Sequence, residues 1–135
     1  MTLEFSCHTV SQGCAEGEAL FSADPILFYH TDFTTGVFRE PGHSLEGKNI
    51  AQKILIFPGG KGSSVVQADG MYKLDVAHLA PNGLIVSELD TVLVASAIIM
   101  EVPMVNEVEP GFYQEVRDGD RICLNATDGI ITICR

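Results

Sequence analysis

Apolar residues occur along the chain in short runs that predict strands alternating with helices. Apolar and polar residues alternate over residues 3–10, and residues 15–21 predict a second strand. The residues Ile54–Phe57 are all apolar, which is typical of a strand buried on both faces, and residues 84–86 form a similar run. The pattern therefore predicts a sheet that is covered on both sides.

The positions after the central strand predict a helix over residues 65–78. Its apolar stripe is expected to pack on the sheet and consists of Val65, Ala68, Met71, Tyr72 and Val76. Gly70 weakens this helix and indicates a close approach to another surface. Asp90 is suited to cap a second helix that ends near Ile99, although residues 92–94 are equally compatible with an extended strand.

Turn signals near the end of the chain predict a terminal β-hairpin. Its strands are expected over residues 121–124 and 130–134, with Asp118-Gly119 and Asp128-Gly129 as hairpin turns. Together with the preceding elements, this predicts a single mixed α/β, barrel-like domain over residues 1–135, with two main helices.

A glycine-rich loop follows the strand Ile54–Phe57 and carries the candidate chemistry. It reads Pro58-Gly59-Gly60-Lys61-Gly62-Ser63-Ser64. Glycines let the backbone approach a ligand closely, and a helix start offers unpaired N–H groups with partial positive charge. Such a loop can bind a carboxylate or a phosphate, with Lys61 as a counter-charge.

The spacing of the loop leaves a second interpretation open. A tight turn between strand and helix, with the hydroxyl of Ser63 or Ser64 as a cap, also accounts for the pattern. The order of glycines, lysine and serines matches neither a Walker loop nor a dinucleotide-binding loop.

The charge balance narrows the classes of partner. Eighteen acidic and eight basic residues give a net charge of −10, which argues against nucleic acid and anionic membrane as partners. Lys61 is therefore one of few cations available to an anionic ligand. No signal peptide or long apolar segment is visible, so a cytoplasmic protein is expected.

The cysteines and histidines predict no metal site in this chain. Cys7, Cys14, Cys123 and Cys134 form no C-x-x-C pair and have no spacing typical of zinc or cluster ligands, so buried hydrophobic roles are expected for all four. His43, in the irregular residues 37–48, is expected to be exposed.

The glycine-rich loop resembles that of a known family. The string F-P-G-G-K-G-S-S after an apolar strand is similar to the Gly-[Lys/Arg]-Gly-Ser loop of the aconitase X proteins, in their swivelling domain. Further matches to this family are Gly17-Glu18-Ala19-Leu20, Gly47-Lys48, Ile54–Phe57, Ala80-Pro81 and residues 97–103. The resemblance implies a swivelling β/α/β barrel-like domain with a mixed sheet.

One loop departs from the family pattern. Relatives usually carry a glycine pair, a hydrophobe and an aspartate, whereas Tyr29 and His30 stand at the glycine pair here. Asp32, Thr35 and Gly36 stay in register with the pattern. Either this loop lines the pocket, with His30 and Asp32 against the substrate, or it is a surface loop whose histidine has no role.

The resemblance implies the small subunit of an aconitase X type dehydratase, a hydro-lyase that removes water from a hydroxy acid. It implies Ser63 as the base, and a large partner subunit that holds iron or an iron–sulfur cluster. The expected assembly is a heterodimer or a dimer of heterodimers. The residues expected to bind substrate are Gly60, Lys61, Gly62, Ser64, His30 and Asp32.

The identity of the hydroxy acid stays open at this point. Family members act on cis-3-hydroxy-L-proline or on phosphorylated mevalonate, and the extra aromatic and histidine favour the compact ring of the hydroxyproline. Two other functions fit the loop. One is a non-catalytic anion-binding module, and the other is a structural subunit whose serine has lost its role.

Overall fold

A computed structural model describes residues 2–135 and contains one mixed sheet with three α-helices. The strands are β1 (Thr2–Ser6), β2 (His8–Ser11), β3 (Cys14–Phe21), β4 (Ile54–Phe57), β5 (Gly83–Val86), β6 (Met104–Asn106), β7 (Arg121–Asn125) and β8 (Ile130–Cys134). The helices are α1 (Ser64–Val76), α2 (Thr91–Ile99) and α3 (Pro110–Glu115), and Phe28–His30 form a 3₁₀ turn.

The strand order shows that the sheet closes on itself. Hydrogen bonds link the strands in the order β1-β8-β7-β3-β4-β5-β6-β2, so β1 and β2 lie at opposite edges. These two strands are nevertheless consecutive in the chain, and only Cys7 separates them, with its N–H donating to the carbonyl of Gly129 at 2.9 Å. The predicted strand over residues 3–10 is therefore split between the two edges. The mixed, barrel-like fold is confirmed.

The central strands are buried on both faces, as their apolar runs predicted. The strands β3, β4, β5 and β6 run parallel to one another, while β7 and β8 form the predicted terminal hairpin. Along β4, Leu55 and Phe57 face the core beneath the helices, whereas Ile54 and Ile56 face a second core with Phe112. This alternation places an apolar layer on each side of the sheet.

The predicted apolar stripe of α1 is wrong at most of its positions. Val65, Tyr72 and Val76 are exposed, and the buried side of the helix consists of Gln67, Gly70, Met71 and Leu74. A polar residue and a glycine are buried because the 3₁₀ turn and the residues before it pack directly on the helix. The side chain of Gln67 accepts the N–H of Phe28 and donates to the carbonyl of Ile26, both at 2.8 Å.

The predicted cap of α2 and one of the two predicted hairpin turns are confirmed, and the other hairpin turn is wrong. Asp90 caps α2, since its side chain accepts the N–H groups of Val92 and Leu93. This excludes the extended alternative for residues 92–94. Asp128-Gly129 joins β7 to β8 as predicted, whereas Asp118-Gly119 leads from α3 into β7 and is not a hairpin turn.

His43 is buried, which corrects the expectation that it is exposed. The N–H of Leu45 donates to Nδ1 at 3.0 Å, so Nε2 carries the proton and donates to the carbonyl of Pro25 at 2.8 Å. The ring also packs on Phe38, with 4.6 Å between centroids. An imidazole in this loop therefore satisfies backbone groups that the irregular segment leaves unpaired.

No helix within residues 2–135 is long and apolar enough to cross a membrane.

Candidate functional site

The glycine-rich loop lies at the carboxyl ends of the parallel strands, where it joins β4 to α1. Its backbone is pressed against neighbouring elements. A Cβ on Gly60 would lie 2.7 Å from Nε2 of Gln67 and 2.8 Å from Oδ2 of Asp90. Gly62 has a φ of +82°, a left-handed conformation that favours glycine. The loop therefore requires glycine at both positions, at Gly60 for lack of space and at Gly62 for its backbone conformation.

The N-terminus of α1 is open. The first intrahelical hydrogen bond runs from the N–H of Gln67 to the carbonyl of Ser63 at 2.9 Å, which makes Ser63 the N-cap residue. The side chain of Ser63 makes no capping hydrogen bond. The N–H groups of residues 64–66 therefore have no helical partner. The neighbouring helix α2 differs, because Asp90 satisfies two of its first N–H groups.

A polar depression of about 420 Å³ lies between this loop and the loop from β5 to α2. Its wall includes Gly59, Gly60 and Ser64 on one side and residues 88–92 on the other. Ser63 and Ser64 are both exposed. Since Ser64 is the first residue of α1 and the Ser63 side chain makes no capping hydrogen bond, the interpretation that a serine hydroxyl caps this helix is wrong.

Lys61 points to the other side of the loop and is bound to Glu40. Its Nζ lies 2.6 Å from Oε2 of Glu40. The Lys61 ammonium holds the pKa of the Glu40 carboxyl below its ordinary value, with smaller contributions from His43 and His30. The lysine predicted as a mobile counter-charge therefore already has a counter-ion.

His30 joins the same cluster through Glu40. Its Nε2 lies 3.7 Å from Oε1 of Glu40, and this oxygen is buried and has no hydrogen-bond partner among residues 2–135. The structure thus brings Lys61 and His30 together through a carboxylate that sequence reasoning missed, and substrate binding by these two residues stays a prediction. Glu40 lies in an irregular segment 21 residues from Lys61, where no periodic or motif signal marks it.

Asp32 is not in contact with this cluster. Its Oδ1 accepts the N–H groups of Thr34 and Thr35 at 2.8 and 3.3 Å, and its Oδ2 lies 3.5 Å from Nη2 of Arg39. The Thr34 N–H is the main reason why the pKa of Asp32 is lowered. The carboxylate therefore shapes its own turn, and a role in substrate binding stays a prediction.

The described part of this chain, residues 2–135, does not fit an iron or iron–sulfur centre. Within residues 2–135, no three His, Cys, Asp or Glu side chains lie close enough together to hold a metal ion. Cys123 and Cys134 have their sulfurs 3.7 Å apart, whereas Cys7 and Cys14 lie elsewhere. Burial raises the pKa of Cys7 and of Cys123 to about 11, so both are thiols at neutral pH. The expectation of burial is wrong for Cys14, which is exposed.

The amino-acid sequence matches a known family over almost its whole length. Residues 4–133 match the family described as the aconitase X swivel domain. The phosphomevalonate dehydratase small subunit of Methanosarcina mazei is 41% identical over 134 residues, which cover 98% of this chain and 92% of that relative. The phosphomevalonate dehydratase small subunit of Methanosarcina acetivorans is 42% identical over 128 residues, with 94% and 88% covered.

Two solved structures share the fold. The crystal structure of Thermococcus kodakaraensis aconitase X in its holo-form has a TM-score of 0.88 at 32% identity, and the match covers 98% of this chain and 99% of that chain. The solution structure of a UPF0107 protein has a TM-score of 0.86 at 33% identity and covers 98% and 100%. The resemblance inferred from the glycine-rich loop is therefore confirmed.

Proposed function

The chain belongs to the aconitase X swivel-domain family, and on this premise we propose that it is the small subunit of a phosphomevalonate dehydratase. The observation that carries the proposal is identity above 40%, over nearly the whole chain, to two small subunits of that name. The expectation that the chain is a hydro-lyase component is confirmed by the same relatives. Their names support phosphomevalonate, the alternative from the sequence analysis, and give no support to cis-3-hydroxy-L-proline.

The loop offers two features that suit a doubly anionic substrate. Phosphomevalonate carries a carboxylate and a phosphate. The open N-terminus of α1 presents N–H groups and a positive dipole end, and Lys61 adds an ammonium on the other side of the loop. We assign the anionic groups of the substrate to these features, with Gly60, Gly62 and Ser64 as the backbone and hydroxyl contacts.

We assign Ser63 the role of the base. Loss of water from a β-hydroxy acid requires removal of a proton from the carbon next to the carboxylate. The hydroxyl of Ser63 is exposed, and the helix does not engage it as a cap. A serine hydroxyl is a weak base in water. The N–H groups of the helix end and the Lys61 ammonium would stabilise its alkoxide once a partner closes the site to solvent.

A large subunit completes the site in this proposal. Because residues 2–135 do not fit a metal centre, we assign the iron or iron–sulfur group to that partner. Held there, such a centre would supply a Lewis acid for the departing hydroxyl. This chain contributes the anion-binding loop and the base, in a heterodimer or a dimer of heterodimers.

Co-expression with a phosphomevalonate dehydratase large subunit from the same organism tests the proposal. The purified complex should remove water from phosphomevalonate, and mass spectrometry should detect the dehydrated product. Each subunit alone should be inactive. cis-3-Hydroxy-L-proline is the matched alternative substrate. Full activity of this chain alone, or a complex that dehydrates only the hydroxyproline, would refute the assignment.

A further inference from the structure

The Glu40 carboxylate lies between the lysine of the glycine-rich loop and the histidine of the 3₁₀ turn. One oxygen, Oε2, is 2.6 Å from Lys61 Nζ. The other, Oε1, is buried without a hydrogen-bond partner among residues 2–135 and is 3.7 Å from His30 Nε2. A buried carboxylate oxygen without a donor is costly, so an arrangement in which it gains one is favoured.

We propose that Glu40 and His30 are positioning residues that control whether the Lys61 ammonium is available to an anion. An anion that binds Lys61 displaces Glu40, and the imidazole of His30 takes up the released carboxylate. This inference rests on the proposed anion binding by the loop, and it names the regulation of that site. His30, which departs from the family pattern, then supplies a hydrogen-bond donor for the released carboxylate.

Among the neighbouring charged groups, His30 is the one that is available as a hydrogen-bond donor to Glu40. His43 also acts on Glu40, but both of its ring nitrogens are already hydrogen-bonded within its own loop. Asp24 interacts with Lys61 at longer range, and its carboxylate accepts the N–H of Ser44 at 3.0 Å. The His30 side chain is 43% exposed and can reorient toward Oε1 at little cost in packing.

Anion titration of the full-length chain tests this exchange. The probe is inorganic sulfate, a doubly charged anion, at constant ionic strength set with chloride. Binding is followed by the amide shifts of Gly60, Gly62 and Ser64. We compare the wild type with Glu40→Gln, His30→Asn and the double variant.

The expected pattern is a coupling between the two residues. Glu40→Gln removes the competing charge and should lower the sulfate Kd by about two- to fivefold, the limit for a partly exposed ion pair. His30→Asn should raise the Kd by about twofold in the wild type, because the released carboxylate loses the imidazole as its hydrogen-bond donor. In the Glu40→Gln background, His30→Asn should have no effect.

Additive effects of the two variants would overturn the exchange while leaving the dehydratase assignment intact. Absence of any sulfate-induced shift at the loop would overturn the exchange together with its premise that the loop binds anions. Dehydration of phosphomevalonate by the assembled complex is measured separately, so the two failures are distinguishable.

Discussion

The backbone of Tyr29 passes so close to Gly70 that a Cβ on this glycine would lie 2.5 Å from the Tyr29 nitrogen. The same Cβ would lie 2.8 Å from the Tyr29 Cα, and neither atom belongs to a side chain that could rotate away. Alanine favours a helix over glycine by about 1 kcal/mol, but overpacking against backbone costs about 1–3 kcal/mol. Gly70→Ala should therefore lower the free energy of unfolding in urea titrations.

Gly111 is the matched control for this prediction. It lies in α3, and a Cβ there would be 3.4 Å from Cε1 of Phe5, an ordinary van der Waals contact. Gly111→Ala should leave the free energy of unfolding unchanged or raise it by up to about 1 kcal/mol. A Gly70→Ala variant as stable as Gly111→Ala would show that the 3₁₀ turn moves away from the helix without cost.

The ion pair between Glu40 and Lys61 should make stability depend on pH. Because the Lys61 ammonium lowers the pKa of Glu40, the pair stabilises the folded state above the ordinary carboxyl value of 4.5. This contribution is lost as the pH falls from that value through the lowered pKa of the folded state. Glu40→Gln should therefore be less stable than the wild type at neutral pH, by about 0.2–1 kcal/mol, and the difference should narrow in acid.

Urea titrations at several pH values measure this difference. Glu18→Gln serves as a control, because Glu18 is an exposed residue of β3. The contrary result is a free energy of unfolding of Glu40→Gln that stays below that of the wild type by a constant amount. If that difference is the same from neutral pH to well below 4.5, the carboxylate charge does not stabilise this loop.

Lys61→Ala tests whether the lysine binds the substrate. In the complex with the large subunit, loss of one charge-assisted contact should raise KM about tenfold and change kcat less. Steady-state kinetics with phosphomevalonate separate the two constants. Lys73→Ala is the matched control, since Lys73 is also exposed and also paired, with Asp69 at 3.1 Å, but lies on α1 away from the loop.

The opposite kinetic result would indicate a different role for Lys61. If Lys61→Ala lowers kcat while KM stays constant, Lys61 acts on Ser63 and does not anchor the substrate. An equal effect of Lys73→Ala would mean that the loss reflects the net charge of the chain and not a contact at the loop.

Signals confined to a few neighbouring residues predicted much of the fold. The apolar run Ile54–Phe57 gave β4 with its bounds, and Asp90 marked the start of α2 because a cap satisfies N–H groups two and three residues away. Gly70 indicated a close approach that the structure confirms. The first two signals depend on residues within or next to the element itself. The third depends on Gly70 having no side chain.

Contacts between distant segments account for what the sequence did not predict. Gln67 lies on the buried side of α1 because it hydrogen-bonds the backbone of residues 26–28. The apolar pattern of the helix cannot reveal such hydrogen bonds to a distant segment. Glu40 lies in a segment without regular structure, so its place beside Lys61 depends on how the loop folds back. The closure of the sheet through Cys7 is likewise a property of strand pairing.

Ser63→Ala separates catalysis from anion binding. The change removes one oxygen and keeps the N–H groups of the helix end, so the loop should still bind anions. If Ser63 is the base, the kcat of the complex should fall at least ~100-fold, the lower end of what a positioned base contributes. The Kd of sulfate for the isolated chain and the affinity between the subunits should change little. Kinetics, the sulfate titration and gel filtration of the complex measure these quantities.

Ser64→Ala is the matched control one residue along the chain. Ser64 lines the polar depression but is the first residue of α1, and its hydroxyl is assigned a contact to the substrate rather than to the transferred proton. Its loss should therefore cost about tenfold or less, mainly in KM. Neither change removes a capping hydrogen bond, because the Ser63 side chain makes none, so both variants should keep the stability of the wild type. If the complex with Ser63→Ala retains near-full kcat, the base lies in the large subunit, and this chain contributes only the anion-binding loop.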